Sequence, residues 1–140
     1  MSLPDVKINI TGYTLKRLSF NLSFISDKYS INEKNINAKM GRMLLKKMYR
    51  VSQQDYEELL LDPQNGIETL SEEKVHVDKM KLNVEFQSSG RESQCAPRYA
   101  LLKTSDARFI GKINTKTKVF YVLAVDTDYS LYDHGHRHSK

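Results

Sequence analysis

Val119-Phe-Tyr-Val-Leu-Ala-Val125 is apolar at every position. Side chains along a β-strand point alternately to opposite faces, so such a run is buried on both sides and belongs inside a sheet. The preceding stretch, Ala107-Arg-Phe-Ile-Gly-Lys-Ile113, also reads as a strand. Asn114-Thr-Lys-Thr-Lys118 between the two supplies a turn, so the pair predicts a β-hairpin. The apolar run leads directly into Asp126-Thr-Asp128, Tyr129, Leu131-Tyr132 and His134. These polar groups therefore fall on the rim of the most rigid element, where binding and catalytic groups are usually held.

Upstream, Val6–Thr11 and Leu18–Ile25 alternate apolar and polar residues around a Gly12-Tyr13-Thr14 turn, and predict a hairpin or a loose arm with an edge strand. Ser30-Ile-Asn-Glu33 fits a capping box, and Ile36, Met40, Met43, Leu44, Met48 and Val51 recur at helical spacing, so an amphipathic helix ending near Arg50 is expected. Ser52-Gln-Gln-Asp55 opens a second, shorter helix through Leu61, which Asp62-Pro63 and Asn65-Gly66 stop. Over 67–97 the pattern is weaker. Val75–Asp78 and Leu82–Phe86 alternate, which fits one or two short strands or an irregular excursion, and the breaker-rich Ser88–Pro97 reads as a mobile loop. Arg98–Thr104 restarts a strand. Together these elements predict a single α+β domain over 1–140: a twisted antiparallel sheet with a helical hairpin packed on one face, and a flexible tail over 134–140.

The 140 residues carry a net charge of +5, which favours an acidic partner without fixing its class. The distribution of charge is more specific. Lys39, Arg42, Lys46 and Arg50 are three or four residues apart and stack along one helix face. Asp55, Glu57, Glu58, Asp62, Glu68, Glu72 and Glu73 follow with no Lys or Arg among them. Two readings are open: a phosphate-contacting helix, or a basic stripe that is neutralised within the helical hairpin or lies on a solvated face. A second basic group includes Arg98, Lys103, Arg108 and Lys112. Arg108 and Lys112 are an even number of residues apart, so they point to the same side of the sheet, on a face that could meet a polyanion.

Other chemistry is sparse. Asp126 and Asp128 could bind a divalent cation, but a turn in which they cap backbone amides accounts for them more simply. Cys95 is the only cysteine, which rules out an internal disulfide, and no partner near it in sequence activates it as a nucleophile. His134 and Tyr132 are close enough to the last strand to be anchored by it, and can transfer protons. No Gly-rich phosphate loop, His-Glu-x-x-His helix or Gly-x-Ser-x-Gly elbow is present, which argues against kinase, zincin and hydrolase chemistry. No apolar run reaches the roughly 18–20 residues of a membrane span. The start Met1-Ser-Leu-Pro-Asp5 lacks the pattern of a signal peptide, so a cytoplasmic location without cofactor or metal is expected.

The order strand, helix, helix, then Arg98-Tyr-Ala-Leu-Leu102, Ala107–Ile113 and Val119–Val125 with a polar end resembles the RelE/HigB/ParE toxin superfamily. The strand followed by Asp-x-Asp-x-x-Leu-Tyr is similar as well to small uncharacterised bacterial proteins of mobile elements. The toxin resemblance implies metal-independent RNA cleavage, on the ribosome or in free RNA, and an acidic antitoxin-like protein partner. In that chemistry a 2′-hydroxyl attacks the adjacent phosphorus, Arg108 and Lys112 stabilise the developing charge, and His134 or Tyr132 transfers a proton. Lys39, Arg42, Lys46, Arg50, Arg98 and Lys103 would hold the nucleic acid. A non-catalytic protein- or nucleic-acid-binding module is the second expectation. A metal-dependent nuclease using Asp126 and Asp128 is the third.

Overall fold

The computed structural model describes residues 16–132 apart from 33, 35 and 64. The expected strand over 6–11, His134 and the tail over 134–140 lie outside the described residues. The structure is an α+β fold around one five-stranded sheet. Its strands are β1 (Ser19–Asn21), β2 (Glu68–Leu70), β3 (Tyr99–Lys103), β4 (Arg108–Asn114) and β5 (Val119–Asp126), in the order β1-β5-β4-β3-β2. The sheet is mixed rather than antiparallel, because β1 runs parallel to β5 while the other pairs are antiparallel. The strand expected over Leu18–Ile25 shortens to three paired residues. The chain beyond it still follows β5, with the Ser26 amide donating to the Leu123 carbonyl and the Val125 amide to the Tyr29 carbonyl, both at 2.8 Å.

Helix α1 (Ala38–Val51) and the short α2 (Tyr56–Leu60) cover one face of the sheet, as the helical hairpin predicted. Leu44, Val51 and Leu59 meet Phe109, Ile113, Phe120, Val122 and Val125 there. The cap of α1 is Asn37, whose Oδ1 accepts from the Met40 amide at 2.9 Å. Ser30 instead accepts the Asn32 amide at 3.1 Å in a tight turn. Asn37 stands immediately before the first helical residue, so it supplies the cap.

The opposite face is also covered, which the sequence did not reveal. Residues 71–97 fold over it as short helical turns, among them α3 (Val77–Met80) and α4 (Val84–Ser88), so the short strands, one of the two alternatives, do not form there. Asn83 starts α4 by accepting the Phe86 amide at 3.1 Å. Met80, Phe86 and Leu131 then pack on Leu101, Ile110, Leu123 and Ala124. A run of four or five residues is too short for periodicity to separate strand from helix, and here the capping side chain decides.

This two-sided burial explains why Val119–Val125 is apolar throughout. β5 also carries an irregularity: Ile110 pairs with Ala124 and Gly111 with Val122, leaving Leu123 as an extra residue. The bulge shifts the alternation of side chains by one. Val122 and Val125 therefore share the α1 face, Leu123 and Ala124 share the other, and Asp126 falls on the side of Arg108. Gly111 makes the close approach feasible, since a Cβ there would overlap the Tyr121 carbonyl and the Phe120 ring.

Candidate anion-binding cleft

A cleft of about 390 Å³ opens between the C-terminal half of α1 and the turn from β3 to β4. Met43, Lys46, Lys47, Arg50, Asn65, Lys103, Thr104 and Ser105 line it, so it gathers cations from two elements and hydroxyls from the turn. Helical geometry explains the first set. The core stripe of α1 runs through Leu44, Met48 and Val51, and Met43, Lys47 and Arg50 lie along its flank. Lys103 arrives as the last residue of β3, and Thr104 closes the turn by accepting the Ala107 amide at 3.1 Å.

Two of the cations are partly satisfied within the protein. The Lys47 amine donates to the Asn65 carbonyl at 2.9 Å, and Lys103 pairs with Glu68 at 2.6 Å. Lys47 is only 8% exposed. Burial lowers its amine below the ordinary lysine range, Arg50 and Lys103 push it the same way, and Asp62 opposes them. Lys46 and Arg50 are exposed and form no ion pair among the described residues. The same holds for Lys39 and Arg42 further along α1.

The stripe is not neutralised by α2 and lies on an exposed face, as the solvated-face alternative expects. Asp55 faces Arg17 at 3.8 Å, and the Glu58 carboxylate folds back to accept its own Asp55 amide at 3.4 Å. Of the six expected nucleic-acid contacts, the structure brings Lys46, Arg50 and Lys103 to the cleft and places Lys39 and Arg42 on the same helix. Arg98 stands at the other end of β3, where its guanidinium holds the Thr69 hydroxyl at 3.1 Å. Lys47, Thr104 and Ser105 were not singled out from sequence. For Lys47 a signal existed, because its position falls beside the core stripe within reach of the sheet.

Of the residues expected to cleave RNA, Arg108, Lys112 and Tyr132 are buried, and His134 lies outside the described residues. Arg108 and Lys112 do share a face, as their spacing requires, but residues 71–97 and 126–132 cover it. Arg108 is 1% exposed and Lys112 2%. The expectation that this face presents them to a polyanion is therefore corrected. Lys112 is bound to Glu72 at 2.8 Å and Glu92 at 3.3 Å, and its amine lies 4.7 Å from the centre of the Tyr99 ring. Arg108 stacks on Tyr129, with the guanidinium carbon 3.4 Å from the ring centre. Among the described residues its Nε and Nη1 have no hydrogen-bond partner.

Tyr132 is buried in the second core, and that burial pushes its hydroxyl up to about 12 although Arg108 acts in the opposite sense. Asp126 accepts the amides of Asp128 at 3.1 Å, Leu131 at 3.2 Å and Ser130 at 3.4 Å. Asp128 accepts the Ser130 amide at 3.2 Å. The pair thus closes a turn, in keeping with the simpler of the two sequence readings. Burial pushes the Cys95 thiol up to about 11, away from the reactive thiolate. No helix among the described residues is long and apolar enough to cross a membrane.

No family model, curated protein or solved structure matches this chain.

Proposed function

We propose that this protein binds nucleic acid through the phosphate backbone, with the exposed stripe of α1 as the track and the cleft beside Arg50 as an anchoring point. The observation that carries this reading is the convergence of Lys46, Lys47, Arg50 and Lys103 on one cleft, of which only Lys103 has a carboxylate bonded to it. Burial first, and then repulsion from Arg50 and Lys103, lower the Lys47 amine, and a bound anion would relieve the repulsion. Lys39 and Arg42 extend the positive surface along the helix by two further turns. The net charge of +5 acts in the same direction at long range.

Binding is favoured over cleavage because the groups that would handle the reacting phosphate are buried or committed to internal partners. The test is fluorescence anisotropy with a labelled 20-nucleotide RNA across a salt series. Each phosphate contact contributes about 0.7–0.9 to the slope of log affinity against log salt, so a stripe of this length gives a slope of roughly 3–4. Lys46→Glu combined with Arg50→Glu lowers both the affinity and the slope. Absence of salt-dependent binding to any nucleic acid overturns the reading. Shortened RNA on a denaturing gel would return cleavage to first place.

A further inference from the structure

We infer that the nucleic acid is single-stranded and that an unpaired base stacks on Tyr49. This rests on the phosphate-binding reading and names its substrate class. Tyr49 is 68% exposed, and Leu45, one turn earlier on α1, is 64% exposed. Both stand out because the remaining exposed positions of the helix are charged or small, and a large ring on that face contributes nothing to the core.

The placement is specific. Tyr49 lies three residues after Lys46 and next to Arg50, the two exposed cleft cations that form no ion pair among the described residues. Arg42 and Leu45 continue the same exposed face towards the N-terminus of α1. An aromatic ring set within one helical turn of the phosphate-holding side chains is the arrangement by which proteins hold single strands. The charges follow the backbone, and the ring takes a base face whatever its identity. Among the described residues no ring or cation packs against Tyr49, and its 68% exposure leaves ring surface available to a base. Among the described residues no other phenylalanine or tyrosine ring has this combination. Tyr56, for example, lies under the Lys118 amine at 5.7 Å.

A duplex cannot use the ring in this way. Its base faces are stacked inward, and a side chain at the level of the phosphates meets only sugar and backbone. Leu45 would then sit against the edge of the same base or its ribose, excluding water from one side of the stack.

The experiment measures binding of unstructured oligo-uridine, oligo-deoxythymidine and a blunt RNA duplex of equal phosphate number, at one salt concentration, by the full chain and by Tyr49→Ala, Tyr49→Phe and Leu45→Ala. The single strands are expected to bind at least tenfold more tightly than the duplex. Tyr49→Ala should weaken them about 5- to 100-fold, the loss of one base stack. Tyr49→Phe should stay within about twofold, and the salt slope of Tyr49→Ala should match the parent, because stacking involves no counterion. Comparison of the uridine and deoxythymidine arms separates RNA from DNA as the source of the strand. If the duplex binds as well as the single strands, or Tyr49→Ala leaves their affinity intact, stacking is overturned while phosphate binding stands. If no oligonucleotide binds, both fail. Because Tyr49 is exposed, the melting temperature of Tyr49→Ala should equal that of the parent.

Discussion

Arg108 and Asp126 face each other across β4 and β5, yet no ion pair joins them. The carboxylate accepts three amides of the turn that follows, and the guanidinium lies flat on Tyr129. A buried cation with unpartnered N–H groups contributes little to stability. Arg108→Met, which retains length without charge, should therefore change the unfolding free energy from urea denaturation by no more than about 1 kcal/mol in either direction. It should also leave RNA binding intact. A variant that folds normally but loses binding would show that the guanidinium is reached by the ligand.

The turn predicts a pH signature. Burial raises the Asp126 carboxyl above the ordinary range, whereas hydrogen bonds from Ser130 and Asp126 hold Asp128 below it. Because the folded Asp126 binds its proton more tightly than the unfolded one, its contribution strengthens as pH falls through its folded value, and is complete below the ordinary aspartate value near 4. Asp128 has the opposite sign, and its contribution is lost as pH falls through its depressed folded value. Urea midpoints measured between pH 3 and 7 should show the acid-side gain in the parent diminished in Asp126→Asn. A parallel curve for that variant would contradict the assignment.

Gly111 sets the tolerance of the bulge. Gly111→Ala drives a methyl into the Tyr121 carbonyl, where backbone cannot yield cheaply. A cost of about 1–3 kcal/mol is expected, read as a fall of several degrees in melting temperature. An unchanged melting curve would mean that β4 and β5 separate there more easily than the packing indicates.

Lys112 separates a structural cation from a catalytic one. Removing both Glu72 and Glu92 as alanines strands a buried amine and should cost about 3 kcal/mol or more. Lys112→Met should cost far less, since Glu72 remains more than half exposed and is readily hydrated. Chemical denaturation of the two variants tests this order, and RNA binding by Lys112→Met should equal that of the parent.

Much of the frame was legible from residues alone. The three C-terminal strands, α1 and α2 fall close to where alternation, helical spacing and the Ser52-Gln-Gln-Asp55 segment put them, because the strand and α1 patterns span enough residues to define their periods. The region 71–97 was not legible. Its helical turns are four or five residues long, and their buried anchors, Met80 and Phe86, belong to a core built mostly from distant strands. The stripe Lys39, Arg42, Lys46 and Arg50 could be read as a helix face, but its meeting with Lys103 could not. That contact depends on how the helix lies across the sheet.

The sequence by itself determined that Val119–Val125 is buried on both faces, because no strand apolar at every position is stable with one side in water. It also determined that Arg108 and Lys112 share a side, through the two-residue period of β4. Only the tertiary structure decided what those facts mean. A single extra residue at Leu123 turns Asp126 to the side of Arg108, and residues 71–97 close over that side. The cations there become internal, and those at the α1 cleft are left facing solvent. Side-chain direction is local geometry, but exposure depends on what the rest of the chain places on top.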